Sequence, residues 1–276
     1  MKMNDKKKTC AVLFSGGTDS TLAAVLQEEY FYEIHLLTFD RLGIASVENS
    51  KVNAKMLIDK YGSDRIKHII INIDKIFKHI SYENYISNIR KHGLMNLSTC
   101  GLCKLSMHIQ TISYCNDNSI VDVADGANQG MDMFPAQMKP VIDQMKALYL
   151  KFGITYSNPV FDYEFPDEGS FLSMENANML MSLPKKNNEK EMKKMTAGRV
   201  LYEKGLAPLP NVKGSDYDRK RQPRCFQFIL FKTFANKYFL ADNTYEEYVE
   251  KTVGFFKDKI KVAEEVLNED KKKILK

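Results

Sequence analysis

Six consecutive residues, Ser15-Gly16-Gly17-Thr18-Asp19-Ser20, constrain this chain more than any other stretch. They follow the apolar run Cys10–Phe14 and lead into a helix-forming segment, Thr21–Glu29. Two adjacent glycines let backbone N–H groups approach an anion, and the start of a helix adds partial positive charge. Ser15, Thr18 and Ser20 add hydroxyl donors, and Asp19 is suited either to cap the helix or to help hold a metal. No Lys-Ser/Thr pair follows the glycines, so this is not a Walker loop, and the spacing is not that of a dinucleotide fingerprint. An ordinary strand-to-helix turn with a capping aspartate is the plainer alternative. The run of hydroxyls favours a phosphate cradle.

Apolar patterning predicts strands over about 9–14, 33–40, 66–73, 118–124 and 154–160. Helices are expected between them, over 47–61, 74–92, 103–115 and 138–152, with Gly62 and Gly153 as stops. Apolar strands alternating with helices predict an α/β fold with a doubly wound, five-stranded parallel sheet. Right-handed crossovers then bring the strand ends carrying Ser15, Asp40 and Asp125 to one rim, where such sheets bind ligands. The pattern changes after Pro166. Helices are expected over 170–183 and 187–204, split by Pro184, then a basic loop over 205–224 and a helix over 245–267. The apolar run 226–231 suits either a strand or a buried helix. The expected division is 1–165 for the first domain and 166–276 for a smaller, mainly helical one.

The 276 residues carry a formal charge of +5, gathered into runs at Lys6–Lys8, 185–194, Arg219–Arg221 and Lys271–Lys273. Such runs are most often solvated faces, with a polyanion partner as the lesser reading. No apolar run is long enough to span a bilayer and the first residues are charged, so the expectation is a cytoplasmic protein without a membrane partner. Five cysteines is an odd count, which favours thiols, a metal or a cluster over disulfides.

Two cysteine-bearing segments stand out. In Cys100-Gly101-Leu102-Cys103 the two-residue gap lets both sulfurs converge on one ion or cluster. No second pair completes a four-cysteine zinc site, and neither His92 nor His108 has a usual ligand spacing. In Gln222-Pro223-Arg224-Cys225, the nearby Arg219, Lys220, Arg221 and Arg224 are expected to favour the thiolate. Cys10 and Cys115 read as packing residues. On the rim, Gly126 permits a close backbone approach after strand four, and Asn128 and Asp132 offer polar or metal contacts or, equally, turn caps.

The hexapeptide resembles the signature loop of the PP-loop ATP pyrophosphatases. The resemblance covers most of residues 9–165 and only short islands beyond. It implies the HUP/PP-loop, Rossmann-like fold and a loop that holds the β- and γ-phosphates of ATP with Mg²⁺, using Ser15, Gly16, Gly17, Thr18, Asp19 and Ser20. It further implies adenine beside Thr38, Phe39 and Asp40, with Gly126 and Asn128 near the nucleotide and Asp132 as a candidate Mg²⁺ ligand. The order of loop, paired cysteines and lone cysteine is similar to that of iron–sulfur tRNA thiolases. That likeness implies a [4Fe–4S] cluster on Cys100, Cys103 and Cys225. The segment Lys190-Glu191-Met192 through Gly205-Leu206 to Cys225 is similar to pyridinium sulfur transferases, in which such a cysteine gives up its sulfur or helps bind a cluster. The implied activity is adenylation of an acceptor oxygen, assisted by Asp19, followed by replacement of that oxygen by sulfur. The acceptor is tRNA or a small molecule, a sulfur donor is required, and a homodimer is compatible with the sequence. Two alternatives remain: an adenylating amidoligase without sulfur, and a nucleotide-binding module with a structural zinc.

Overall fold

The computed structural model describes residues 7–97, 99–166, 194–225, 227, 231 and 234–268. The first half runs β1 (Lys7–Leu13), α1 (Thr18–Glu28), β2 (Phe31–Asp40), β3 (Ile44–Ala45), α2 (Ser50–Tyr61), β4 (Ile66–Asn72), α3 (Asp74–Tyr82) and α4 (Tyr85–His92). It continues through α5 (Thr99–Asn118), β5 (Asp122–Asp125), α6 (Lys139–Lys151) and β6 (Thr155–Ser157). After residue 194 come α7 (Ala197–Glu203), α8 (Asp216–Arg219), β7 (Arg224–Cys225) and α9 (Tyr245–Asn268). The five-stranded sheet has the order β4-β2-β1-β5-β6 with every pairing parallel. This is the doubly wound, HUP/PP-loop type of Rossmann-like sheet, followed by a mainly helical C-terminal region. The order reverses at β1, so the switch point that receives ligands lies at the end of that strand, where the hexapeptide begins.

The central strand shows why both faces must be covered. Cys10, Val12 and Phe14 join one apolar cluster with Leu22, Val25 and Leu57 of α1 and α2. Ala11 and Leu13 join the other with Phe77, Leu105, Ile109, Val141 and Leu148 of α3, α5 and α6. Side chains alternate across a strand, and an uninterrupted apolar strand therefore requires helices on both sides. The second cluster also takes in Tyr248, Phe255, Phe256 and Ala263 of α9, while Ala197 and Leu201 of α7 join the first. The C-terminal elements thus complete both layers of the same core. Lys259 of α9 donates to the Ile80 carbonyl at 2.8 Å, and the Tyr248 hydroxyl donates to Met133 O at 2.9 Å.

Several boundaries differ from the sequence reading. The helix expected over 74–92 breaks into α3 and α4 at Asn84, which takes a left-handed φ of 57°. Asn tolerates this conformation better than most residues, so the apolar periodicity runs on through a real turn. The helix expected from 103 starts at Thr99, so the cysteine pair lies in its first turn and not before it. Strand four is confined to Asp122–Asp125 because α5 continues to Asn118. Of the helix expected over 187–204, Ala197–Glu203 is seen. The one expected over 170–183, together with Lys190-Glu191-Met192, lies outside the described residues. Within the apolar run 226–231, Gln227 and Phe231 are helical, and the remaining four residues lie outside the described ones.

Candidate active site

Leaving β1, the chain turns through Gly16 at φ 80° and Gly17, which is the N-cap of α1. The turn is braced by its own hydroxyls. Ser20 Oγ donates to Gly17 O at 3.0 Å and accepts the Ser15 N–H at 3.2 Å. Ser15 Oγ lies 3.1 Å from Ser20 Oγ and accepts the Gly17 N–H at 3.2 Å. From α2, Asn53 Nδ2 donates to Gly16 O at 2.7 Å. Gly126, just past β5, packs directly on the start of α1. A Cβ there would stand 2.6 Å from Ser20 N and 2.8 Å from the Asp19 carbonyl carbon, so the position admits glycine alone without rearrangement.

A second layer comes from far along the chain. Asp218 lies across the start of α1 and accepts the Thr18 N–H at 2.9 Å and the Thr18 hydroxyl at 2.7 Å. Its other oxygen accepts from Gly214 N at 2.8 Å and Gln222 Nε2 at 3.2 Å. A carboxylate at a helix N-terminus is where charge and orphan N–H groups both favour an anion. Lys213 pairs with Asp19 Oδ2 and rests over the Phe165 ring, 4.0 Å from its centroid. Burial raises the Asp19 pKa, with Asp218 adding to that, while Lys213 works against it. Asp19 Oδ1 is buried and has no hydrogen-bond partner among the described residues. The segment 211–225 therefore forms a strap over the loop. It touches down again at Gly16, where a Cβ would meet Arg221 O at 2.2 Å, and ends in β7, paired antiparallel with β3 so that Cys225 lies opposite Ile44.

Cys100 and Cys103 share one face of α5, as the i, i+3 spacing requires. Together with Cys225 and the loop residues Ser15, Gly17, Thr18, Asp19 and Ser20, they line one cavity of about 460 Å³. That size is within the range of small-molecule sites. The thiols are within electrostatic reach of one another. Burial, then Cys225, then Cys103 push the Cys100 thiol far above its usual range. Burial also raises Cys103, opposed by Arg41, whose Nε donates to its sulfur at 2.9 Å. Arg41 is itself buried, stacked over Phe77 at 4.1 Å and bonded to Leu42 O and Gln227. The neighbouring Lys104 also lines the cavity and pairs with Asp125 at 2.8 Å. Burial works against the Asp125 carboxylate, yet Lys104, then His108, then the hydrogen bonds from Lys104 and Tyr156 hold its pKa well below the usual range. Among the described residues, no group of three or more His, Cys, Asp or Glu is arranged to hold a single metal ion. Sulfurs sharing one zinc sit about 3.8 Å apart, and the expected alternative, a structural zinc on the cysteine pair, finds no third ligand so placed. His92 pairs with Asp258, and His108 contacts the Tyr149 hydroxyl, its pKa pushed down to about 3 by burial and by Lys104.

The expected nucleotide residues divide. Thr38, Phe39 and Gly126 line the cavity with the loop, whereas Asp40, Asn128 and Asp132 are not among its lining residues. Asn128 uses its amide to hold its own turn, donating to Val160 O and Tyr163 O and accepting from Gly130 N. Asp132 accepts from the Tyr245 hydroxyl at 2.8 Å, outside the cavity. Two of the four basic residues near Cys225 have other partners: Arg219 pairs with Asp216, and Arg221 stacks on Tyr217 at 3.4 Å. Cys10 and Cys115 are buried within the two core clusters. Lys104, Arg41, Lys213 and Asp218 were not singled out from the sequence. Lys104 could have been found from its place one residue after the cysteine pair; Lys213 and Asp218 looked like ordinary members of a charged loop.

The family model for a family of unknown function, DUF7411, matches residues 8–165, which carry the loop, the cysteine pair and the whole parallel sheet. The chain belongs to DUF7411. No curated protein matches it. Among solved structures, the DUF7411 chain is similar to a predicted subunit of a tRNA methyltransferase from Methanocaldococcus jannaschii, at 20% identity and a TM-score of 0.38, covering 79% of this chain and 96% of that one. It is also similar to the U34-tRNA thiolase NcsA from Methanococcus maripaludis with its [4Fe–4S] cluster, at 16% identity and a TM-score of 0.40, covering 94% of this chain and 73% of that one. At these scores neither likeness carries an argument about what this chain does. No described helix is long and apolar enough to cross a membrane.

Proposed function

We propose that the chain is an ATP-dependent adenylating enzyme that exchanges an acceptor oxygen for sulfur. The observation that carries this reading is one cavity shared by two chemistries. A hydroxyl- and glycine-rich loop at a helix N-terminus and three thiols from two distant segments line it together. In the proposed reaction the triphosphate lies against Ser15–Ser20, and Thr38 and Phe39 border the nucleoside. An oxygen of the acceptor attacks the α-phosphorus, the bond to pyrophosphate breaks, and the acceptor is left as an adenylate. Sulfide then attacks the activated carbon and AMP leaves with the oxygen. The chain contributes positioning and fixed dipoles for the phosphate charge.

Mg²⁺ fits the buried, unpartnered Asp19 Oδ1, because this ion takes one or two carboxylates and keeps most of its waters. A [4Fe–4S] cluster fits Cys100, Cys103 and Cys225. Three thiols line one cavity, and cysteine thiolates are the ligands such a cluster takes. When bound there, such a cluster supplies an iron position that takes up sulfide. The division at residue 165 belongs to this proposal as well, with 166–276 contributing the strap and Cys225.

The test is anaerobic reconstitution with iron and sulfide, followed by an AMP-release screen with bulk tRNA in one arm and small amide- or carboxylate-bearing acceptors in the other. Acceptor-dependent release of AMP and pyrophosphate with sulfur incorporation supports the reading. Release with ammonia and without sulfur points to an amidoligase, and nucleotide binding without turnover to a binding module.

A further inference from the structure

We propose that Lys213, from the C-terminal strap, is a phosphate-binding residue of the nucleotide site, taking the β- or γ-phosphate of the triphosphate. The proposal rests on the reading of Ser15–Ser20 as a nucleotide site and adds to it a ligand from outside the family-matched residues 8–165.

Lys213 is 9% exposed and lines the cavity beside the loop. An ammonium so buried needs an anion, and Asp19 supplies one. The second face of the ammonium lies on the Phe165 ring, which attracts a cation but accepts no strong hydrogen bond. Lysine carries three donors on a flexible stem, a geometry suited to a phosphate oxygen that needs a point charge more than a planar fork.

The charge balance points the same way. Asp19 pairs with Lys213 of the strap, while Asp218 of the strap bonds to Thr18 of the loop and to Gly214. A triphosphate adds several negative charges to this space. A divalent cation that arrives with it meets the unpartnered Asp19 Oδ1, and the carboxylate then no longer depends on Lys213. The ammonium, which lines the same cavity as the loop, then faces the phosphate charge. A lysine serving only to fasten the strap would contact the nucleotide equally little whether it carried one phosphate or three.

The experiment is calorimetric titration of ATP, inorganic pyrophosphate and AMP, each with Mg²⁺, into the wild type, Lys213→Met and Lys213→Arg. Lys213→Met is expected to weaken ATP and pyrophosphate by roughly 10- to 100-fold, the value of a charge-assisted hydrogen bond, and to leave AMP within about twofold. Lys213→Arg keeps the charge and recovers most of the loss. Should Lys213→Met fail to fold with Asp19 left unpaired, Asp19→Asn is compared with Asp19→Asn/Lys213→Met, in which neither charge remains alone; the second is expected to lose further ATP affinity but not AMP affinity. Equal weakening of all three ligands, or no weakening of any, overturns the proposal. A wild type that binds AMP and ATP alike without using the added phosphates also overturns it. A wild type that binds none of the three overturns the nucleotide-site reading itself.

Discussion

The wall of the cavity built from Ser15–Ser20 and the wall built from Cys100, Cys103 and Cys225 border the same space, yet they are made by opposite means. The loop wall is contiguous in sequence, and its hydroxyls bond to one another within five residues. The thiol wall joins two segments of the chain, and burial raises the pKa of both α5 cysteines. A polar wall of short range is arranged for an anion as soon as the helix forms. A wall of long range exists only when the C-terminal region has docked, and its two α5 sulfurs favour the protonated state until something positive compensates their charge. The first wall is a local property of the sequence and the second a property of the whole fold.

The largest expected effect falls on a buried ion pair beside the cysteines of α5. Lys104→Met strands the fully buried Asp125 carboxylate, and removing one partner of a buried pair costs about 3–5 kcal/mol. Urea unfolding measures it. A loss under about 1 kcal/mol would mean that Tyr156, Asn158 and the Ala127 N–H hold Asp125 without Lys104. The pH dependence has a definite sign. Asp125 has a depressed folded pKa, so its contribution is full above its ordinary value of 3.8 and is lost as the pH falls below it. In Lys104→Met the acid transition should move to higher pH.

Gly16→Ala tests whether the loop wall is independent of the strap. The new Cβ meets Arg221 O at 2.2 Å on a backbone of positive φ, so a loss of about 1–3 kcal/mol is expected, with the strap displaced. If stability is unchanged, the strap does not bear on the loop. Next in size, Ser20→Ala removes the hydroxyl that braces the turn at three points. It should weaken Mg²⁺-ATP by roughly tenfold in calorimetry while far-ultraviolet circular dichroism stays native. The smallest effect on stability, within about 0.5 kcal/mol, is expected for the partly exposed Cys225→Ser. If the proposed cluster forms, anaerobic reconstitution should turn the wild type brown, with visible absorption, and the same change should abolish that absorption. Retained absorption would remove Cys225 from the cluster and leave it as a reactive thiol beside the phosphates.

The same contrast explains what the sequence disclosed. The hexapeptide and the alternation of apolar strands with helices depend on neighbours in sequence, and both appear in the structure. The cysteine pair was legible because its three-residue offset is a helical property, although its helix begins four residues earlier than its apolar periodicity suggested. Lys213 and Asp218 were not legible. Their partners, Asp19 and Thr18, lie 194 and 200 residues away, and no local pattern marks a lysine or an aspartate for such a contact. Asn128 and Asp132 read two ways for a related reason: the side chains that suit a nucleotide or a metal also suit turns, and here they bond to Gly130 and Tyr245.

Thr18 and Cys225 are joined by a leash. Asp218 is fastened to the start of α1, and Cys225 follows it by seven residues, 225 minus 218. Seven residues drawn out fully reach at most about 25 Å. As long as that fastening holds, the sulfur cannot travel further than this from the phosphate loop, whatever the rest of the C-terminal region does. In the proposed reaction the acceptor therefore comes to the thiol and fits in the span that the leash leaves open. Lengthening the chain between Arg219 and Arg224 would loosen that limit without touching a single group in the cavity wall formed by α5.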